Sequence, residues 1–229
     1  MIGTPRLHLR ATDSTNLRAR ELAAAGAPHG TLVTAGEQSA GRGRQGRTWT
    51  APAGRALLMS LVVRDPPRLL PLVAAVAVAD TVEDAEIKWP NDVLVGGRKV
   101  AGILVEGRPQ EGWAVLGIGL NVALRPEDFP DELRGRATGM GLEPDDVDRV
   151  LAELLRHLEA RLAQPVAAML GDWRARDVLH GREINWNGGS GTAEGVDDAG
   201  RLLVRTPTGE IAELDAGEVH IGAPPASES

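Results

Sequence analysis

The segment Leu69 to Ala85 reads as a helix that is apolar on nearly every side. A helix without a polar stripe cannot lie on a surface, so it belongs inside a core made by other elements. Those elements are legible on both sides of it. Strands are expected at Arg6 to Arg10, Thr31 to Ala35, Ala56 to Val63, Ile87 to Trp89, Val93 to Val95, Val100 to Glu106 and Trp113 to Val122. Val95-Gly96-Gly97-Arg98 is a hairpin turn by its Gly-Gly pair. Further helices are expected at Asn16 to Ala25, stopped by Gly26, at Asp145 to Ala163 and at Val166 to Ala175. In the second of these, Leu151, Leu154, Leu155, Leu158 and Leu162 share one face. The chain therefore reads as α+β.

After Gly181 the texture changes. Short strands at Glu183 to Asn187, Gly191 to Val196, Leu202 to Thr206 and Ile211 to Asp215 alternate with Gly-containing turns, the pattern of a small barrel. A boundary near Leu179 divides a main domain (1–178) from a small one (179–223) and a frayed tail (224–229). A length of 229 residues suits one substantial core with an appendage.

Composition excludes several functions. There is no Cys, so thiolate metal sites and cysteine nucleophiles are ruled out. The net charge of −7 argues against a generic nucleic-acid binder. No basic segment followed by an apolar run opens the chain, and the run from Leu69 to Ala79 is too short to span a bilayer. The cytoplasm is the expected address.

Against that acidic background, Gln38 to Arg64 holds five arginines and no acid. Within it, Gly41-Arg42-Gly43-Arg44-Gln45-Gly46-Arg47 combines glycines that let backbone N–H groups approach an anion with cations that can grip phosphate or carboxylate. A solvated basic loop or an RGG-like nucleic-acid segment is the alternative. Trp49, which follows, suggests anchoring to the core. Lys88-Trp89-Pro90-Asn91-Asp92 brings lysine, amide and carboxylate to a strand end. Lys88 could bridge a carboxylate and an α-phosphate, and Asp92 could orient a lysine or help hold magnesium; an ordinary turn is the alternative. Lys99 opens a strand containing Gly102 and Leu104. Gly117 and Gly119 could admit a ligand, and Asn121 could read a base edge; a bulged strand is the alternative. The hydroxyls of Ser14-Thr15-Asn16 could simply cap a helix.

In this order, these motifs resemble those of the biotin–protein ligase family (biotin–[acetyl-CoA-carboxylase] ligase): Ser14-Thr15-Asn16, the Gly-Arg loop, Lys88-Trp89-Pro90-Asn91-Asp92, Lys99-x-x-Gly102-Ile103-Leu104-x-Glu106 and Gly117-Ile118-Gly119-x-Asn121-Val122. The resemblance spans about residues 6 to 222. It implies a mixed-sheet catalytic domain of the class II aminoacyl-tRNA synthetase/biotin ligase type, with helices packed on it and an SH3-like barrel behind. It also implies ATP and Mg²⁺ as cofactors, biotin as substrate, and the carrier domain of a biotin-dependent carboxylase as partner. A lipoate-type protein ligase and a non-catalytic biotin-binding protein are the alternatives. Lys88 and Arg44 are the catalytic candidates. Ser14, Thr15, Asn16, Gln38, Gly41, Arg42, Arg44, Lys88, Gly102 and Leu104 would meet biotin. Arg44, Arg47, Trp49, Asn91, Lys99 and Asn121 would meet ATP, and Asp92 would hold Mg²⁺. The motifs begin near the start of the chain, so no DNA-binding domain and no DNA partner are expected, and no membrane partner either. A monomer or weak homodimer is expected, because a bare sheet edge can pair protomers. Arg136-Ala137-Thr138-Gly139-Met140 departs from the family's Ala-Thr-Ser-Leu stretch, with Gly139 in the serine place.

Overall fold

The computed structural model describes residues 2–215, 217 and 219–222. The tail 224–229 lies outside them. Seven strands form one sheet: β1 (Arg6–Leu9), β2 (Leu32–Ala35), β3 (Ala56–Arg64), β4 (Ala85–Lys88), β5 (Asp92–Val95), β6 (Arg98–Arg108) and β7 (Trp113–Asn121). Their order is β1-β2-β3-β7-β6-β5-β4. β1 and β2 are parallel because α1 (Thr15–Ala24) crosses between them; the other neighbours are antiparallel, so the sheet is mixed.

Strand alternation sorts the two faces. Leu57, Met59, Leu61 and Val63 of β3 join Leu116, Ile118 and Leu120 of β7 in the main core. That core is filled by α2 (Leu70–Thr81), α3 (Val147–Leu162) and α4 (Val166–Arg174). All but two residues of α2 are buried, as its unbroken apolar run requires. α3 presents Val150, Leu151, Leu154 and Leu158 inward. On the other face, Ala19 and Ala23 of α1 pack on Val62 and Val115.

α2 is shorter than the expected span to Ala85. Val82 is already extended, and Asp84 takes a left-handed φ of 52° before β4 starts. Apolar content extended the expected helix past the point where the chain must reverse to re-enter the sheet. The outer edge of β4 is covered: Ile87 N–H donates to the Arg176 carbonyl (2.8 Å), and Val178 N–H donates to the Ile87 carbonyl (3.0 Å). Arg161 and Arg176 both bind Asp80 of α2, and Arg161 also reaches Asp172. This network ties α2, α3 and α4 together. Asp80→Ala leaves two part-buried guanidinium groups without that partner and is expected to cost about 2–4 kcal/mol, read as a drop in melting temperature.

The small C-terminal sheet has the order β11-β10-β9-β8-β12, from β8 (Glu183–Trp186), β9 (Gly189–Val196), β10 (Leu202–Arg205), β11 (Ile211–Leu214) and β12 (Val219–Ile221). Its antiparallel arrangement is of the SH3-like kind expected. β12 was not foreseen: three residues are too few to show a period. No helix among the described residues is long and apolar enough to cross a membrane.

Candidate active site

The face of the sheet that carries α1 is short of side chains beyond the helix's N-terminal end. Gly119 pairs with Leu58 on one side and Gly102 on the other; Gly117 pairs with Ser60 and Leu104. Three glycines therefore floor a cavity of about 650 Å³. A Cβ on Gly119 would stand 2.5 Å from the Trp49 indole, and one on Gly117 would collide with the Asn16 amide. The glycines were expected to admit a ligand. What they admit in this structure is Trp49 and Asn16, which form the inner lining.

Every candidate residue read from the sequence lines this cavity except Gly41. Gly41 serves the turn instead: a Cβ there would lie 2.9 Å from Gln38 Nε2 and run into the Trp49 carbonyl.

The capping reading of Ser14-Thr15-Asn16 fails. Ser14 sits at the N-cap of α1 and makes no side-chain capping bond. The cap comes from Gln38, whose Oε1 accepts from Thr15 N–H (2.7 Å) and from the Thr15 hydroxyl (3.0 Å). Thr15 and Asn16 are also held from below by the buried Ser60 hydroxyl, at 2.8 and 2.6 Å. Ser60 escaped the sequence reading, although it is the lone polar residue inside the apolar run of β3.

Asp13, just before this segment, is held to a pKa of about 2 by the Arg18 guanidinium and by Ser14 N–H. Its folded pKa lies below the ordinary carboxylate value. Its stabilising contribution is therefore present above pH ~4 and lost as pH falls towards 2. The melting-temperature gap between wild type and Asp13→Asn is expected to close over that window.

The Gly-Arg loop is a tight hairpin. Gly43 N–H donates to the Arg47 carbonyl (2.7 Å) and Trp49 N–H to the Gly41 carbonyl (3.0 Å). Gln45 and Gly46 turn the chain with left-handed φ of 54° and 75°. Arg44 Nη1 donates to Asn91 Oδ1 (3.1 Å), and Asn91 Nδ2 donates to the Ile103 carbonyl (2.8 Å). The loop is thereby linked to the Lys88-to-Asp92 block. Lys88 ends β4 opposite Asp92. Asp92 pairs with a lysine: its Oδ1 is 2.6 Å from Lys99 Nζ, which lies 5.7 Å from the Trp49 ring centre. Trp89 is buried and its Nε1 donates to the Gly200 carbonyl (3.1 Å), so this block also grips the C-terminal sheet.

Asn121 is less free to read a base than its type suggested. Its Nδ2 donates to the Thr138 carbonyl (3.0 Å), which leaves one N–H and the carbonyl. Gly139 has a local reason: any Cβ would collide with the Leu124 carbonyl. Phe129, Leu133 and Arg136 roof the cavity from the segment between β7 and α3, and Val219, His220 and Ile221 of β12 close one side. Short 3-10 turns at Pro126–Asp128 and Asp131–Leu133 shape the roof.

A glycine floor, a partly buried indole and a ring of arginines and lysines define the class: an enzyme site for a small molecule joined to a polyanion. Residues 9–122 match the Biotin/lipoate A/B protein ligase family, and residues 179–222 match the Biotin protein ligase C terminal domain. The chain is 37% identical to the bifunctional ligase/repressor BirA of Bacillus subtilis, over 91% of this chain and 71% of that one. It is also 37% identical to the biotin–[acetyl-CoA-carboxylase] ligase of Mycobacterium tuberculosis, over 91% and 85%. Its fold matches the biotin protein ligase of Aquifex aeolicus in complex with biotin and ATP, with a TM-score of 0.82, 28% identity, and 96% and 99% of the two chains covered. The chain belongs to the biotin protein ligase family.

Proposed function

We propose that this chain forms biotinyl-5′-AMP from biotin and ATP and then transfers biotin to a specific lysine of a biotin carboxyl carrier domain. The observation that carries this reading is the convergence of Arg42, Arg44, Arg47, Lys88 and Lys99 on one cavity whose floor is glycine. In the first step a biotin carboxylate oxygen bonds to the α-phosphorus and the bond to the β-phosphate oxygen breaks, releasing pyrophosphate. In the second, the lysine nitrogen bonds to the acyl carbon, loses a proton, and AMP leaves with the electron pair.

The first step presses one anion on another. At about 4 Å and an effective dielectric near 20, each unit pair contributes roughly 4 kcal/mol, so several cations are needed. We assign Lys88 to the space between carboxylate and α-phosphate, and Arg44 and Arg47 to the phosphates. Ser14, Thr15, Asn16, Gln38 and Arg42, with the backbone of Gly102 and Leu104, take the biotin side. Trp49, Asn91, Lys99 and Asn121 take the nucleotide. Trp49 Nε1 is buried with no hydrogen-bond partner, an unmet donor that suits a ligand acceptor.

Mg²⁺ fits only as a guest of the phosphates. Asp92 is already bound to Lys99, and among the described residues no group of three acidic or histidine side chains could cage a metal. Mg²⁺ commonly keeps to phosphate oxygens with one or two carboxylates and would there neutralise the triphosphate. We place the reaction in the cytoplasm, whose reducing conditions a cysteine-free chain suits, and we divide the two units near Leu179.

The test is incubation with ATP, Mg²⁺ and labelled biotin or lipoate. Labelled biotinyl-AMP is the expected product. A lipoyl adenylate alone points to a lipoate-type ligase, and bound but unadenylated biotin points to a binding protein.

A further inference from the structure

We infer that Glu106 is a positioning residue that fastens the Gly-Arg loop to the pocket segment Thr15-Asn16. The inference rests on the ligase reading above and deepens it.

Glu106 lies on β6 two residues beyond Leu104, on the cavity face, yet it does not line the cavity. Its side chain is only 17% exposed. A carboxylate that far from water requires partners, and it has three. Oε2 accepts from Asn16 Nδ2 at 2.9 Å. Oε1 faces Arg42 Nη1 at 3.2 Å and Arg20 Nη1 at 3.4 Å. One carboxylate thus holds Asn16 of α1 through one oxygen and joins Arg20 of α1 to Arg42 of the loop through the other.

Each contact constrains something different. Asn16 Oδ1 is taken by Ser60 at 2.6 Å, so Nδ2 must point to Glu106, and the amide is held in one orientation. Gly117 leaves the space in which that amide sits. Arg42 is half exposed at 47%, and among the described residues Glu106 is the only carboxylate within ion-pair distance of it. Arg20 and Arg42 would repel each other if brought together; the carboxylate between them lets both approach. Order in the loop and order in the pocket segment are therefore linked through Glu106.

The experiment compares Glu106→Gln, Glu106→Asp and Arg42→Ala with wild type in the full chain. Gln keeps an acceptor for Asn16 and loses the charge that holds Arg42. Amide exchange across residues 41–48 of the ligand-free protein is expected to rise about 10-fold in Glu106→Gln, because local opening becomes easier. Dissociation of biotinyl-AMP is expected to speed up by about 10-fold while the KM for biotin stays within about 3-fold, a split that general destabilisation would not produce. Glu106→Asp, which keeps the charge, should recover part of the loss. In an Arg42→Ala background, Glu106→Gln should add nothing to loop exchange. Unchanged loop exchange in Glu106→Gln, or an equal increase with Arg42 absent, overturns the inference. The exchange readout needs no activity, so a wild type that makes no adenylate sinks the ligase reading while Glu106 is still decided.

Discussion

Lys88→Ala is expected to lower the rate of biotinyl-AMP formation by about 10²-fold or more, as loss of one fixed donor to a developing oxyanion does. Lys88 ends β4 opposite Asp92 and lines the cavity. It is half-buried, where a cation acts more strongly on a neighbouring anion than in bulk water. The reaction needs no protein nucleophile: catalysis of this kind is positioning and charge neutralisation. If Lys88 bridges carboxylate and α-phosphate as proposed, its removal should depress the chemical step more than biotin binding. Pyrophosphate release measured in a single turnover reads the step directly. A near wild-type rate would show that Lys88 does not touch the reacting atoms.

Arg44→Gly should still allow adenylate to form, but adenylate should escape about 10- to 100-fold faster, the loss of one charge-assisted hydrogen bond to phosphate. The loss has a second component. Arg44 is the loop residue whose side chain bonds Asn91, and Asn91 in turn bonds the Ile103 carbonyl beside the glycine floor. Without Arg44 the hairpin loses that link to the body of the domain. A cover that opens too readily exposes the mixed anhydride to water before an acceptor arrives. Release of purified biotinyl-AMP, followed by dilution, measures the effect; an unchanged release rate removes the loop from this role.

Much of this architecture is legible in the chain because local signals carry it. The apolar run around Leu72 to Ala79 demanded burial on all sides, and α2 is buried that way. The Gly96-Gly97 turn lies where the pair of glycines placed it, with both φ values positive. What stayed hidden was set by distance in sequence. Gln38 caps a helix that begins at Thr15, a bond no local capping pattern contains. Glu106 gathers partners from residues 16, 20 and 42, and nothing in its own neighbourhood announces them. The roof from Phe129 to Ala137 is held by backbone bonds such as Lys99 N–H to the Arg136 carbonyl, so side-chain pattern could not reveal it. The end of α2 was missed for the opposite reason: Val82 looks helical by its neighbours, but the chain must leave the helix to supply β4.

The most direct measurement uses the isolated adenylate. The protein is loaded with labelled biotinyl-AMP, freed of ATP, and mixed with a biotin carboxyl carrier domain. The label should move to the acceptor lysine without added ATP, with one AMP released per lysine modified. Retention of the label on the protein, or its release as free biotin with the carrier lysine unmodified, would contradict the proposed transfer.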